Sequence, residues 1–253
     1  MITDPWFYAV AIPAVLLYGI SKGGFGGGLG AASVPIMALV ISPVQAAAIL
    51  LPILCVMDLV ALWKFRGKWI MPELKILIPA SLLGILVGTL LFEYMSAAIV
   101  RLIVGTVAIV FTMHYWINKR RSKSAELKVY PKSYGLLAGS VAGFTSFVAH
   151  SGGPPISMYL LRRPLDRTGF VATSIVFFAI ANYVKLIPYA WLGQLNADNL
   201  ATSAALVVLA PVGVLIGVML HKRVSDKLFF AFVYILLFIV GVKLVYDGLS
   251  AYI

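Results

Sequence analysis

Most of the residues here that could do chemistry stand in two short stretches of matching pattern. The first, GISKGGFGGGLGAASVP, runs from Gly19 to Pro35. The second, GSVAGFTSFVAHSGGPP, runs from Gly139 to Pro155. Gly19 aligns with Gly139, Gly23 with Gly143, Pro35 with Pro155 and Ile36 with Ile156, without a gap. Both stretches interrupt hydrophobic segments. In the first, Ser21, Lys22, Gly23, Gly24, Gly26, Gly27 and Gly28 offer a cation, a hydroxyl and backbone N–H groups that no side chain obstructs. The helix that starts after this break points its N-terminal N–H groups and dipole at an anion. In the second, Thr145, Ser146, His150, Ser151, Gly152 and Gly153 offer hydroxyls, glycine amides and an imidazole that titrates near neutral pH. Pro154 and Pro155 follow, and neither can continue an ordinary helix. Each polar group also has a plainer reading. Lys22 could snorkel to an interface or pair with an acid, and His150 could be a neutral histidine held by a backbone carbonyl.

Three more residues belong with these. Asp58 and Asn182 occupy matched positions in the first full apolar segment after each break. A carboxylate inside such a segment is rare and usually functional. Asp58 could partner Lys22 or carry a coupling proton; it could also be a near-interface acid, because Lys64 is less than two turns away. Lys185 lies one helical turn from Asn182, on the same face. Other chemistries find little support. Three scattered histidines and one cysteine, Cys55, make no metal set and no disulfide within the chain. The glycine string lacks the spacing of a nucleotide-binding loop. No nucleophile elbow, zinc-protease motif or catalytic carboxylate pair appears, so the chain reads as neither an enzyme nor a cofactor binder.

The elements that position these residues are hydrophobic helices. Of 253 residues, 62% are hydrophobic and 11% charged, which implies an all-α polytopic protein of the lipid bilayer. The net charge of +11 sits in short loops, as orientation in a membrane requires, and does not point to nucleic acid. Apolar runs predict full spans over residues 46–63, 74–92, 97–117, 169–191, 200–220 and 228–249. The glycine-broken segments 6–42 and 134–161 have arms shorter than a span. The basic loops are Lys64/Arg66/Lys68, the 118–133 linker with Lys119, Arg120, Arg121, Lys123, Lys128 and Lys132, then Arg162/Arg163/Arg167 and Lys222/Arg223/Lys227. All four face one side only if both broken segments re-enter as hairpins instead of crossing. That side is then the cytoplasm of a bacterial inner membrane, and both termini, with Asp4, Glu93 and Asp198, lie outside. A hairpin plus three spans per half, 1–117 and 134–253, is an odd number of crossings, so the halves become inverted-topology repeats. Gly67 matches Gly193, and Gly84-x-x-x-Gly88 matches Gly213-x-x-x-Gly217, a pattern of close helix packing.

The paired motifs, with Gly23 to Gly30 followed by Pro35 and Gly143 to Pro155, resemble the TauE/SafE sulfite exporter family of transporters over residues 6 to 249. The resemblance implies a secondary transporter, usually an exporter, of sulfite, sulfoacetate and related organosulfonates. In this chain Thr145 to His150 stand where the family pattern is richer in glycine. The chemistry agrees with such a substrate, because three weakly basic oxygens ask for many donors and one or two cations. On this reading Lys22 and the two glycine clusters contact the anion, and Ser21, Thr145, Ser146 and Ser151 donate to it. Asp58, His150, Asn182 and Lys185 stand behind them. Without an ATP-binding motif, energy comes from a gradient, most simply of protons carried by Asp58 or His150. A passive anion channel, or an importer of thiosulfate or another small anion, are the alternatives.

Overall fold

The computed structural model describes residues 1–92, 94–121, 131–220 and 226–252, so Glu93, Lys123, Lys128, Lys222 and Arg223 lie outside the described residues. The elements are α1 (Pro5–Gly24), a 3-10 turn (Gly28–Ala32), α2 (Ser33–Met37), α3 (Pro43–Lys64), α4 (Met71–Phe92) and α5 (Ala97–Arg121) in the first half. The second half has α6 (Lys132–Ala149), α7 (Gly153–Leu160), α8 (Arg167–Trp191), α9 (Ala197–Leu206), α10 (Leu209–Leu220) and α11 (Asp226–Leu249). No strand occurs among the described residues.

Local chemistry sets the helix starts. The side chains of Asp4, Ser42, Asp166 and Asn196 accept the N–H of Trp6, Gln45, Gly169 and Asn199, which answers donors that a helix start leaves unpaired. Gly67 and Gly193 turn the chain after α3 and α8 with φ of 74° and 68°, where a side chain would be strained. Two expected extents change. The first arm of the first hairpin is longer than the sequence suggests: α1 runs on to Gly24, 20 residues or about 30 Å, enough to cross hydrocarbon. The span expected over 200–220 is two helices, α9 and α10, that meet at 44°. Pro211 explains the bend, since it cannot donate to Val207 and its ring collides with that carbonyl.

Among the described residues, five helices are long and apolar enough to span a membrane, or six if the bent α9–α10 pair counts as one. Their polarity is arranged for lipid. On α4, Leu83, Leu86, Val87 and Leu90 share one exposed face at helical spacing, while Ser81, Gly84 and Thr89 face inward. The spans α3 and α8 are the most enclosed and form the centre.

Hydrogen bonds fix the path of the two broken segments. The Ile2 N–H donates to Thr202 Oγ1 at 3.1 Å and Gln45 Nε2 to Asn199 Oδ1 at 3.3 Å. The starts of α1, α3 and α9 therefore meet at one end. Tyr159 Oη and Arg163 Nε donate to Glu73 Oε2 and Oε1 at 2.7 and 2.8 Å, and the Ile70 N–H to Thr173 Oγ1 at 2.9 Å. Gly135 abuts Tyr159 and Ile76. These contacts gather the starts of α4, α6 and α8 with the end of α7 at the other end. Residues 5–42 thus leave and return to the Asn199 end, and residues 132–161 leave and return to the Glu73 end. Packing is reciprocal: α1 lies against α10, α6 against α4, α3 against α8 and α5 against α11.

Candidate functional site

The tips of the two broken segments meet at the centre beside α3 and α8. In the first, Lys22 is still helical, so the expected break begins after it. The Ser21 carbonyl accepts the N–H groups of Phe25 at 2.8 Å and Gly27 at 3.1 Å, and Ser21 Oγ accepts that of Gly30 at 3.0 Å. Gly26 and Gly27 make the reversal with φ of 69° and 76°. Gly23 and Gly24 lie within α1, and each sits directly on α10 backbone, at Val214 and Gly217. Gly28 opens the 3-10 turn, and α2 is only five residues long. The helix start expected to face an anion after the first break is therefore barely a helix.

In the second tip, α6 ends in a left-handed turn at His150 (φ 51°), the one positive-φ residue other than glycine among those described. The His150 N–H donates to the Ser146 carbonyl at 3.0 Å, and that of Ser151 to Thr145 at 3.1 Å, which answers carbonyls at the helix end. Thr145 Oγ1 donates to Val141 O at 2.8 Å, and Ser151 Oγ to Ala149 O at 3.1 Å and Ala31 O at 3.3 Å. In this conformation both hydroxyls are spent on backbone. Gly152 packs on Ala142, Ser146 and Phe178, while Gly153 begins α7, whose next two residues are prolines without an N–H.

Between the tips lies a buried polar cluster. Lys22 Nζ stands 2.6 Å from Asp58 Oδ1, a close ion pair, and 3.4 Å from Leu54 O. Asn182 Nδ2 donates to Asp58 Oδ2 at 2.7 Å, so the matched residues of α3 and α8 touch. Lys185 Nζ has three neutral acceptors: Ser146 O at 2.9 Å, Ser146 Oγ at 3.0 Å and His150 Nδ1 at 2.8 Å. His150 Nε2 lies 2.9 Å from Ala47 O, which can only accept. The proton therefore sits on Nε2, Nδ1 is a lone pair facing Lys185, and the ring is neutral. Lys22, Asp58, Asn182, Lys185 and His150 are each no more than 1% exposed. Among the plainer readings, Lys22 does pair with an acid, and His150 does meet a carbonyl.

Two tyrosines complete the cluster. Tyr18 Oη donates to His150 O at 3.2 Å, and its ring lies 5.8 Å from Lys22 Nζ. Tyr189 Oη donates to Phe147 O at 2.6 Å and its ring stacks on His150 at 6.3 Å. Tyr189 is buried, not one of the belt aromatics its place near Trp191 suggests. A signal was present: each buried lysine has a tyrosine four residues away, Tyr18 before Lys22 and Tyr189 after Lys185, on the same helical face. No group of three potential metal ligands exists among the described residues.

An apolar exterior, five or six candidate spans and a polar centre make this a polytopic α-helical membrane protein. The family model described as Sulfite exporter TauE/SafE matches residues 11–244, all but the two chain ends, and the chain belongs to that family. Comparison with curated proteins and with solved structures gave no match. The resemblance carried by the two glycine motifs is thereby borne out.

Proposed function

We propose that the chain is a secondary transporter that exports small sulfur-containing anions, such as sulfite, sulfoacetate or another organosulfonate, in exchange with a proton gradient. The observation that carries this reading is the meeting of two glycine-broken segments, from opposite ends, at a buried cluster of Lys22, Asp58, Asn182, Lys185, Ser146 and His150. Irregular backbone at membrane depth is tolerated where it lines a pathway, and paired broken helices mark transport sites. The halves act as inverted repeats, in support of which α1–α10 and α6–α4 pack reciprocally. Rocking one half on the other would open the tips alternately to each end. Asp58 is the proposed proton carrier, because a proton on its carboxylate removes the partner of Lys22.

The direct test is efflux of sulfite from loaded proteoliposomes under an imposed proton gradient. Efflux that is saturable, competed by organosulfonates and altered by collapse of the gradient is expected. Fluxes that never saturate and ignore the gradient would mean a channel. The orientation has its own prediction. A single cysteine at Arg66 should be labelled only from the cytoplasm and one at Asn196 only from outside; labelling of both from one side would sink the inverted arrangement.

A further inference from the structure

We propose that a cavity at the Asn199 end, away from the tips, binds the phosphodiester headgroup of an anionic phospholipid through Arg101. The cavity lies between the start of α5, the end of α11 and the turn that leads from α2 into α3. Its volume is about 750 Å³, within the ~300–1,000 Å³ of clefts that hold small ligands. Arg101, Leu39, Ser42, Tyr246 and Asp247 line it. Its walls are closely set, because Gly248 of α11 lies against Leu102 and the Ala98 carbonyl of α5.

Arg101 is the group that asks for a ligand. A guanidinium keeps its charge at any working pH. Arg101 is half-buried and lies one turn into α5, about 6 Å along the axis from Ala97. It makes no hydrogen bond or ion pair among the described residues. The neighbouring cations at this end are answered. The N-terminal ammonium lies 2.6 Å from Asp198, and Lys243 Nζ lies 2.6 Å from Asp247. Asp247 shares the cavity with Arg101, yet its carboxylate is engaged by Lys243. A charge left at such a depth is costly unless an anion meets it. A phosphodiester offers the two oxygens that suit the planar fork of an arginine. Ser42 adds donors. Its Oγ accepts the Gln45 N–H, so its O–H remains to donate, and its own N–H has no partner among the described residues.

The rim argues for a lipid over a free anion. Leu39 and Tyr246 line the cavity and are 39% and 70% exposed. They continue into Val242 and Leu249, exposed apolar residues of α11. The first 18 residues of α5 are the least enclosed of the five candidate spans. A tyrosine at the wet end of such a face marks the membrane–water interface. A headgroup phosphate on Arg101 would leave its acyl chains against that apolar face, a contact that inorganic phosphate lacks. An anionic headgroup suits the cavity better than a zwitterionic one, because the added ammonium would find only Asp247, which Lys243 already occupies.

The test uses purified full-length protein in neutral detergent. It is titrated with phosphatidylglycerol, phosphatidylcholine and glycerol phosphate, with binding read by thermal shift and native mass spectrometry. Phosphatidylglycerol should bind at least about tenfold tighter than phosphatidylcholine, and glycerol phosphate should give no shift at equal concentration. Arg101→Gln should weaken phosphatidylglycerol about tenfold or more. Arg66→Gln, in the loop at the opposite end, controls for general charge and should leave it unchanged. If Arg101→Gln does not fold, Leu39→Glu decides, since a carboxylate on the exposed rim should repel the same headgroup without altering Arg101. Unchanged phosphatidylglycerol binding in a folded cavity variant, an equal loss in Arg66→Gln, or equal affinity for phosphatidylcholine would overturn the proposal. Glycerol phosphate binding as tightly as the lipid would also overturn it and assign the cavity to a soluble anion. None of these readouts involves transport, so failure of the proposed function would leave the test intact.

Discussion

Gly143→Leu and Gly23→Leu should be the most destabilising substitutions in the protein, each lowering stability by about 3 kcal/mol or more, with loss of folded yield in detergent. A Cβ at Gly143 would land on the Ser81 carbonyl of α4, and one at Gly23 on the Val214 carbonyl of α10. In both cases the obstacle is backbone within a helix, which cannot turn aside as a flexible side chain can. The neighbouring pairs are similar: a Cβ at Gly139 would stand 2.8 Å from Leu77 O, and one at Gly19 would stand 2.8 Å from the Gly213 Cα. These glycines let α6 and α1 approach α4 and α10 closely enough for backbone-to-backbone packing, the main source of helix association where lipid supplies no hydrophobic drive. Gly67→Ala is the control. Nothing lies within 4 Å of a Cβ there, so only its φ of 74° opposes the change. It should cost about 1–2 kcal/mol. Thermal unfolding followed by size-exclusion fluorescence would rank the three, and equal losses would show that close packing is not what the tip glycines provide.

That result would also divide the glycines by role, which their spacing alone does not do. Gly84-x-x-x-Gly88 and Gly213-x-x-x-Gly217 read correctly as packing motifs. Their partners were not legible. Gly84 meets Ser140 and Phe144, and Gly213 meets Gly19 and Leu16, contacts between halves that no local pattern encodes. Gly23 and Gly24 read as anion ligands because they adjoin Lys22, yet helical geometry commits their N–H side to α1 and their open side to α10. Gly26 and Gly27, which do have positive φ, are where the break lies. Loop charge pointed to the hairpin path, since the basic loops can share a side in only one way, and the meetings of helix ends at Asn199 and at Glu73 support it. The polar cluster was visible as a set of unusual residues, but its pairings span 36 residues for Lys22–Asp58 and 35 for His150–Lys185. Sequence spacing therefore pointed to Lys22 as the cation that meets the anion, whereas Lys22 pairs with Asp58 and Lys185 has neutral hydrogen-bond partners.

Lys22→Met and Asp58→Asn should each destabilise the protein by about 3–5 kcal/mol, and the double variant should be more stable than either single one. Each single change leaves one charge buried without its partner, and both side chains are at most 1% exposed. In the double variant no such charge remains. The amide that Asp58→Asn introduces can still accept from Asn182 through its oxygen, where Oδ2 of the carboxylate stands, so the bridge between α3 and α8 persists. Costs that simply add in the double variant would mean that the 2.6 Å contact contributes nothing specific. Transport separates structure from coupling. If the pair served only to hold the fold, the double variant would carry the anion under the same proton control as the native protein. With Asp58 as proton carrier, the double variant should instead still bind the anion yet move it without response to an imposed proton gradient. Flux measured with and without that gradient, in a variant already shown to be folded and to bind, distinguishes the two outcomes.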